Sequence, residues 1–532
     1  MSHARSPGGA RTVAHMAAGF RLSLLKPSKK TRTAARESEG TRMTAAANPF
    51  YRALRTCAVA LLPLSMAACG WLPLKAPPLP PPAPTPERWQ APLPHNGTLT
   101  DLTQWWQQLG DPLLVELITA AQEVSPTMAS ARARIAQARA TRVQAGAALL
   151  PGLDAVASAS RGFNQQVGRL ATMGQVAVQA SWEIDLFGGN AATRDAAQAR
   201  YEGAQADWHD ARVSVAAEVA NLYFSLRNCE RLLAVSRFDA RSRAESMRLT
   251  DLMTRAGFQA PGTLALARAS SAEGAVRVTQ QRALCDIDIK GLVALASLDE
   301  ARLREKLAEV PASMGRPPNY SINSLPASLL EQRPDIFSAE RELLAARAEI
   351  GAADAQRYPR LSLNGTVGST YIRVNGVGDN ISNWSIGPVS LSLPLFDGGT
   401  RSAQVDAAEA RYDAAAVAYR AKARQAVREV EEALVQLQST SDRNEDALTA
   451  TQGYRESFNA FEARYKNGLA SLVELEDARR LALNSETTLV TLQRERMAAW
   501  VALYRAAGGG WTQSSTGPRF ETSSTPASTA KP

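Results

Sequence analysis

The sequence predicts an α+β membrane protein: a two-repeat protomer in which each half carries long α-helices and one β-hairpin. Three observations predict it. One layout occurs twice, about 210 residues apart. Each copy holds short stretches that alternate apolar and polar residues, and each holds a run of about 65 residues almost free of proline and glycine.

The duplication is read residue by residue. Pro126 to Pro151 is 25 residues, and so is Pro334 to Pro359. At an offset of 208, Ala131 falls on Ala339, Arg139 on Arg347, Ala145 on Ala353 and Leu153 on Leu361. The run Asp195 to Ala204 reappears as Asp406 to Ala415 at an offset of 211, which Gly257 and Gly468 keep. Solenoid repeats run roughly 20 to 50 residues. A period this long means a duplicated half-molecule, each half supplying half of one symmetric wall.

The ends of the chain read differently. Of the net charge of +9, residues 1–42 supply +7, and Arg52 and Arg55 the other +2. The remainder is balanced, which gives no support to nucleic-acid binding; a basic tail over 1–42 is the rival reading of that segment. Positions 43–68 read as an export signal, with Arg52 and Arg55 ahead of the apolar run Ala58 to Met66 and small residues Ala67 and Ala68 before Cys69. That run is too short to span a bilayer. Its ending resembles the lipobox of bacterial lipoproteins, which makes Cys69 the expected lipidated residue, carrying a covalent acyl chain such as palmitate. Met66 departs from the Leu that motif prefers, and an ordinary signal peptide cleaved nearby is the alternative. Gly70 is not the Asp that holds enteric lipoproteins at the inner membrane, so the outer membrane is the expected address. A 55-residue leader before the apolar run is abnormal, which makes Met43 the alternative start to Met1. Residues 69–100 include a proline-rich tether, and 512–532 a Ser/Thr/Pro tail of disordered composition. Between them, 101–320 and 321–511 are the two repeats.

In Gln175 to Leu186, Val176, Val178, Ala180, Trp182, Ile184 and Leu186 share one face, and Gln175, Gln179, Ser181, Glu183 and Asp185 the other. The second half answers with Val389, Leu391, Leu393 and Leu395 against Ser390 and Ser392. Partner strands are expected near 153–162 and 360–371, joined by loops near 164–172 and 373–383. Period-two alternation of this length fits a membrane β-barrel strand, and equally a half-buried soluble sheet. The long runs, Gly189 to Gly257 and Gly399 to Gly468, decide for something unusual. Tyr412, Ala415, Tyr419, Ala423, Ala426, Val430, Ala433 and Leu437 step by three and four, the spacing of a helix seam. About 65 residues at 1.5 Å make a rod on the order of 100 Å. Helices of about 25 residues precede each hairpin, and helices of about 35 to 40 follow each rod, so the shorter two can stack end to end beside the longer one. Four strands cannot close a barrel, which takes at least ~8, and open edges in lipid leave backbone groups unpaired. The chain must therefore oligomerise to span a membrane. Two copies or three would close, and only three leave a useful lumen.

Trp105-Trp106-Gln-Gln-Leu-Gly-Asp-Pro-Leu113 resembles the opening motif of the TolC-like outer-membrane efflux lipoproteins, the NodT group. Leu325-Pro-Ala-Ser-Leu-Leu-Glu-Gln-Arg-Pro-Asp335 and Ala506-Ala-Gly-Gly-Gly-Trp511 resemble its mid-chain and terminal motifs. The resemblance covers roughly Cys69 to Trp511. It implies a homotrimer with a twelve-stranded barrel in the outer membrane above a periplasmic helical tunnel. The tunnel would dock on an adaptor protein and an inner-membrane pump, and would passively conduct drugs or other small toxic solutes. It also implies a gate at the periplasmic end, where an apolar residue, an Asp and an Arg fall here on Val473, Asp477 and Arg480. Spacings of four and three put them on one helix face, and three copies would make a ring of carboxylates. Val473 stands where that family usually has Leu, which makes a less occluding plug. Leu266 is the first-half counterpart of Asp477, so the acid is not duplicated. A surface salt-bridge face that includes Glu474 and Glu476 is the bland alternative.

Cys229 and Cys285 are equidistant from Gly257, so on antiparallel helices meeting there they lie at equal height. A periplasmic disulfide is one expectation, two separate buried thiols the other. Nothing in the sequence calls for catalysis or a cofactor. His95 and His209 are far apart without metal-ligand company, and Gly508 to Gly510 ends a helix and follows no strand. Outside the efflux class, the competing reading is a coiled-coil lipoprotein spacer. Within the transport class, it is an outlet for protein secretion or metal ions, and ten Met in 532 residues gives no metal signature.

Overall fold

The computed structural model describes residues 105–165, 168–309 and 333–511. Cys69, the segments 1–42, 43–68 and 69–100, the boundary at residue 320, most of the mid-chain motif and the tail 512–532 lie outside them.

Proline recurs where helices begin, because at the first helical position its missing N–H has no intrahelical partner to lose. After the four-residue α1 (Trp105–Gln108), Pro112 opens α2 (Pro112–Val124), capped by Asp111, which accepts from the Leu114 N–H at 3.2 Å. Pro126 opens α3 (Pro126–Ala147), with Ser125 accepting from the Met128 N–H. The hairpin β1 (Gly152–Asn164) and β2 (Arg169–Ile184) follows, then the 67-residue rod α4 (Gly189–Arg255). Pro261 opens α5 (Pro261–Ala296), and α6 (Glu300–Glu309) ends the first half. The second half repeats the series as α7 (Pro334–Ala355), β3 (Arg360–Val374), β4 (Val377–Ser392), the rod α8 (Thr400–Lys466) and α9 (Leu472–Ala506). Both rods have 67 residues and both end at a left-handed glycine, Gly257 (φ 83°) or Gly468 (φ 73°), where a side chain would strain the reversal. Each rod is about 100 Å long.

The hairpin loops are shorter than the sequence reading placed them. β1 runs on to Asn164 and β2 resumes at Arg169, while β3 and β4 are joined by Asn375 and Gly376 alone, at φ 50° and 87°. Asn-Gly is the residue pair that tolerates positive φ at both turn positions, and it carried the signal for a two-residue turn.

The four strands form one antiparallel sheet in the order β1-β2-β3-β4, so β2 and β3 join the two halves. Directly opposed residues of an antiparallel pair share a face. Across the sheet, Ala155, Val178, Val367 and Trp384 line up, as do Trp182, Leu363 and Val389, and Ile184, Leu361 and Leu391. The alternate rows read Asp154, Gln179, Thr366 and Ser385, then Glu183, Ser362 and Ser390. One face is therefore apolar across all four strands and the other polar. Among the described residues nothing covers the apolar face: Val176 is 66% exposed, Trp384 76% and Ile386 81%. A half-buried soluble sheet would have a layer packed there.

The helices lie side by side in an equally definite order. α4 packs against α3 and α5 of its own half and against α7 and α9 of the other, whereas α8 packs against α7 and α9. The principal core gathers where α2, α4, α5 and α9 meet, around Trp105, Leu117, Tyr223, Leu226, Leu292 and Trp500.

Candidate functional site

The predicted gate residues sit at the start of α9, far along the chain from the sheet. Ser471 and Glu474 form a reciprocal cap: the Glu474 N–H donates to Ser471 Oγ at 3.2 Å and the Ser471 N–H to Glu474 Oε2 at 2.7 Å. This fixes the first turn and holds the Glu474 carboxylate well below its usual range. Val473, Asp477 and Arg480 then project together from one exposed face; Val473 is 59% exposed, and Arg480 Nη2 donates to Asp477 Oδ1 at 3.0 Å. A pair this exposed contributes about 0–1 kcal/mol to the protomer. The three side chains are thus brought together and are not needed to hold the fold.

Glu474 and Glu476 take no part in that face. Glu474 is spent on the cap, and Glu476 turns inward to a network that sequence reasoning missed. Arg243 Nη1 donates to Glu476 Oε2 at 2.7 Å and Arg243 Nε to Asp239 Oδ2 at 2.9 Å. Ser270 Oγ donates to Glu476 Oε1 at 2.9 Å, Arg479 pairs with the same carboxylate, and Arg479 Nη2 reaches Ser246 Oγ at 2.8 Å. Arg243, Asp239 and Arg479 are all buried. Burial pulls Arg479 below the ordinary guanidinium value against the opposing pull of Glu476. The network bolts α9 to both α4 and α5 from the buried side of the same turns that expose Asp477 and Arg480. Its signal was present: Asp239, Arg243, Ser246 and Thr250 step by four and three along α4 where a seam would otherwise be apolar.

Cys229 on α4 and Cys285 on α5 face each other with Cα atoms 5.4 Å apart and sulfurs at bonding distance. Both are buried within the principal core.

The three sequence motifs converge elsewhere. Trp105 stacks on Tyr504 of α9, with ring centroids 4.8 Å apart. Arg333, just ahead of α7, donates to the Ala506 carbonyl at 2.9 Å and pairs with Asp335 and with Glu429 of α8. Trp511 packs against Phe337 of α7 and His209 of α4. Together they clamp the junction where α7 and α9 abut between the rods. His209 lies buried there with no hydrogen-bond partner on either ring nitrogen among the described residues. Burial, aided by Arg212, pushes its pKa down to about 4. No group of three metal-ligating side chains occurs among the described residues.

The geometry is that of a wall segment, an amphipathic sheet carried on long paired helices, and the comparisons agree with it. The family model described as outer membrane efflux protein matches residues 117–295 and 325–509, one stretch in each repeat. The chain is 32% identical to Outer membrane protein OprJ of Pseudomonas aeruginosa over 85% of its own length and 95% of that protein's. It is 28% identical to Nodulation protein T of Rhizobium leguminosarum bv. viciae over 85% and 93%. Among solved structures, the CmeC outer membrane channel of Campylobacter jejuni matches with a TM-score of 0.74 and 25% identity, over 84% of this chain and 96% of that one. The chain belongs to the outer membrane efflux protein family.

Proposed function

We propose that three copies of this outer-membrane efflux channel close into one conduit, with the polar sheet face lining a twelve-stranded barrel and the helices forming a tunnel into the periplasm. One observation carries this reading: the uncovered apolar face that runs across all four strands, with open edges at β1 and β4. In lipid those edges must be paired, and a further copy of the same sheet supplies the pairing. The channel performs no chemistry. It conducts solutes passively, and an inner-membrane pump docked through an adaptor protein supplies both energy and selection. The cargo is drugs or other small toxic solutes, since a wide polar lining selects little.

Val473, Asp477 and Arg480 form the constriction. In a trimer, three Asp477 carboxylates at the narrow end favour cations, and three Val473 side chains restrict the bore. The inward network through Glu476 holds α9 in the closed position. Cys69 carries the covalent lipid, and Cys229 and Cys285 are bonded in the oxidising periplasm.

Planar-bilayer recording of the purified protein tests the reading. Discrete conducting events from a trimer support it. A trimer that never conducts favours the coiled-coil spacer. Acyl-chain labelling with and without Cys69→Ser decides the anchor.

A further inference from the structure

The two halves have the same helices and unequal neighbours. α7, enclosed by α4 and α8, has one exposed residue among its 22, Glu342. α3, its counterpart 208 positions earlier, has sixteen of 22 exposed. The rods differ in the same sense. Ala196, Ala199, Gly203 and Ala206 of α4 are buried, and their counterparts 211 positions on, Ala407, Ala410, Ala414 and Val417 of α8, are all exposed. Each half therefore lacks the contact that the other makes inside the chain.

We infer that α8 of one copy packs on α3 of the next in the register of the internal α4–α7 seam, with Ala414 against Ala133 and Asp413 paired with Arg134. The inference rests on the trimeric reading and specifies how its copies meet. The internal seam is the template. A Cβ on Gly203 would lie 3.4 Å from Arg341 Cβ and 3.4 Å from Ser338 Oγ. Moved by the repeat offsets, those positions become Ala414, Ala133 and Ser130, all small and all exposed.

The charges are rewritten at this seam. Inside the chain, Arg200 of α4 pairs with Glu342 (3.0 Å) and Glu349 (2.6 Å) of α7, and Arg341 of α7 with Glu202 of α4 (3.3 Å). On α3 the three α7 positions become Arg134, Thr141 and Ala133, while on α8 Glu202 becomes Asp413. Arg200 becomes Arg411, which turns to Glu349 of its own α7 at 3.6 Å. Arg134 and Asp413 make no ion pair within the protomer among the described residues. The rod thus keeps its acid, Asp413 for Glu202, while the short helix exchanges the carboxylate of Glu342 for the guanidinium of Arg134. The contact is head-to-tail, and three such contacts close a ring.

Cysteines at 133 and 414 in the full-length, membrane-inserted protein test the register. A Cβ separation near 3.4 Å approaches the mean of ~3.8 Å that a disulfide needs. Ala133→Cys with Ala414→Cys should give covalent dimers and trimers on a non-reducing gel that collapse on reduction; neither single variant should. A trimer by native electrophoresis without cross-links overturns this register and leaves the trimeric reading standing. A protein that stays monomeric overturns both. As an independent arm, Arg134→Glu and Asp413→Arg should each lower trimer recovery roughly tenfold and together restore it, the behaviour of a direct charge pair. A double variant no better than either single one removes the pairing.

Discussion

Replacing Glu476 by Gln removes one charge and keeps the side-chain volume, and the structure sets the size of the effect. Glu476 takes charged hydrogen bonds from Arg243 and Arg479, and both guanidiniums are buried. Without it, among the described residues, Asp239 is left as the carboxylate paired with Arg243, and Arg479 keeps the hydroxyls of Ser242 and Ser246 and the ring of Phe458. Breaking a buried pair from one side costs about 3–5 kcal/mol, because the remaining charge stays desolvated. If the network exists in the closed tip and not in the open one, the closed state loses roughly two to three and a half powers of ten in relative population. Two assays separate the consequences. Chemical unfolding followed by helical circular dichroism should show a loss of that size. Bilayer recording should show a larger conductance or a higher open fraction, and cells carrying the variant should leak more antibiotic. A variant with a lowered unfolding midpoint and unchanged conductance would reduce the network to a hairpin staple. One unchanged in both would refute the reasoning outright.

The remaining predictions concern single groups. Asp477→Ala should leave unfolding within about 1 kcal/mol of the parent, since its partner Arg480 is exposed, while raising leak and lowering cation preference; unchanged conduction removes Asp477 from the gate. Cys229→Ser with Cys285→Ser should cost about 4 kcal/mol, the loop-closure value for a separation of 56 residues, and free thiols at both positions of the parent in peptide maps would end the idea. His209 has a folded pKa of about 4 against an ordinary 6.5, so the unfolded chain binds the proton first as pH falls. Its share of stability is intact above 6.5 and is lost as pH drops through that value toward 4, to a limit of about 3 kcal/mol. His209→Phe should flatten that acid dependence of unfolding; an unaltered pH profile would contradict it.

How much was legible depended on whether a feature was periodic or particular. The repeat offsets of 208 and 211 placed both helices ahead of the hairpins and both long rods, because duplication preserves length and spacing while side chains drift. The amphipathic sheet was legible because alternation is a backbone property, as the aligned rows of Val178, Val367 and Trp384 show. The turn at Asn375 and Gly376 was misplaced because the polar residues of β4 read as loop. A strand whose one face meets water carries such residues along its whole length. The Glu476 network was only half legible: the polar step along α4 was visible in the sequence, and its partners were not. It joins α4, α5 and α9 across more than two hundred residues of sequence, and no single-helix pattern says that Arg243 and Arg479 share one carboxylate.

Duplication also explains how, on the proposed gate, one helical hairpin can be fixed and the other can move. The two hairpins, α4–α5 and α8–α9, began as copies, and each kept what the other lost. The first carries the Cys229–Cys285 contact, and Thr440 stands where Cys229 would repeat. The second carries Asp477, and Leu266 stands in the first half. A covalent cross-link between antiparallel helices resists their sliding at every pH and salt concentration. An ionic network can be broken and remade within the free energy that docking of a partner supplies. A gate built from two equally stapled hairpins could not open, and one built from two unstapled hairpins would have nothing rigid to close against. On the proposed gate, the asymmetry puts the stapled wall on α4–α5 and the release on the α8–α9 side, where Glu476 joins Arg479 of α9 to Arg243 of α4 and where the exposed Asp477 carboxylate resides.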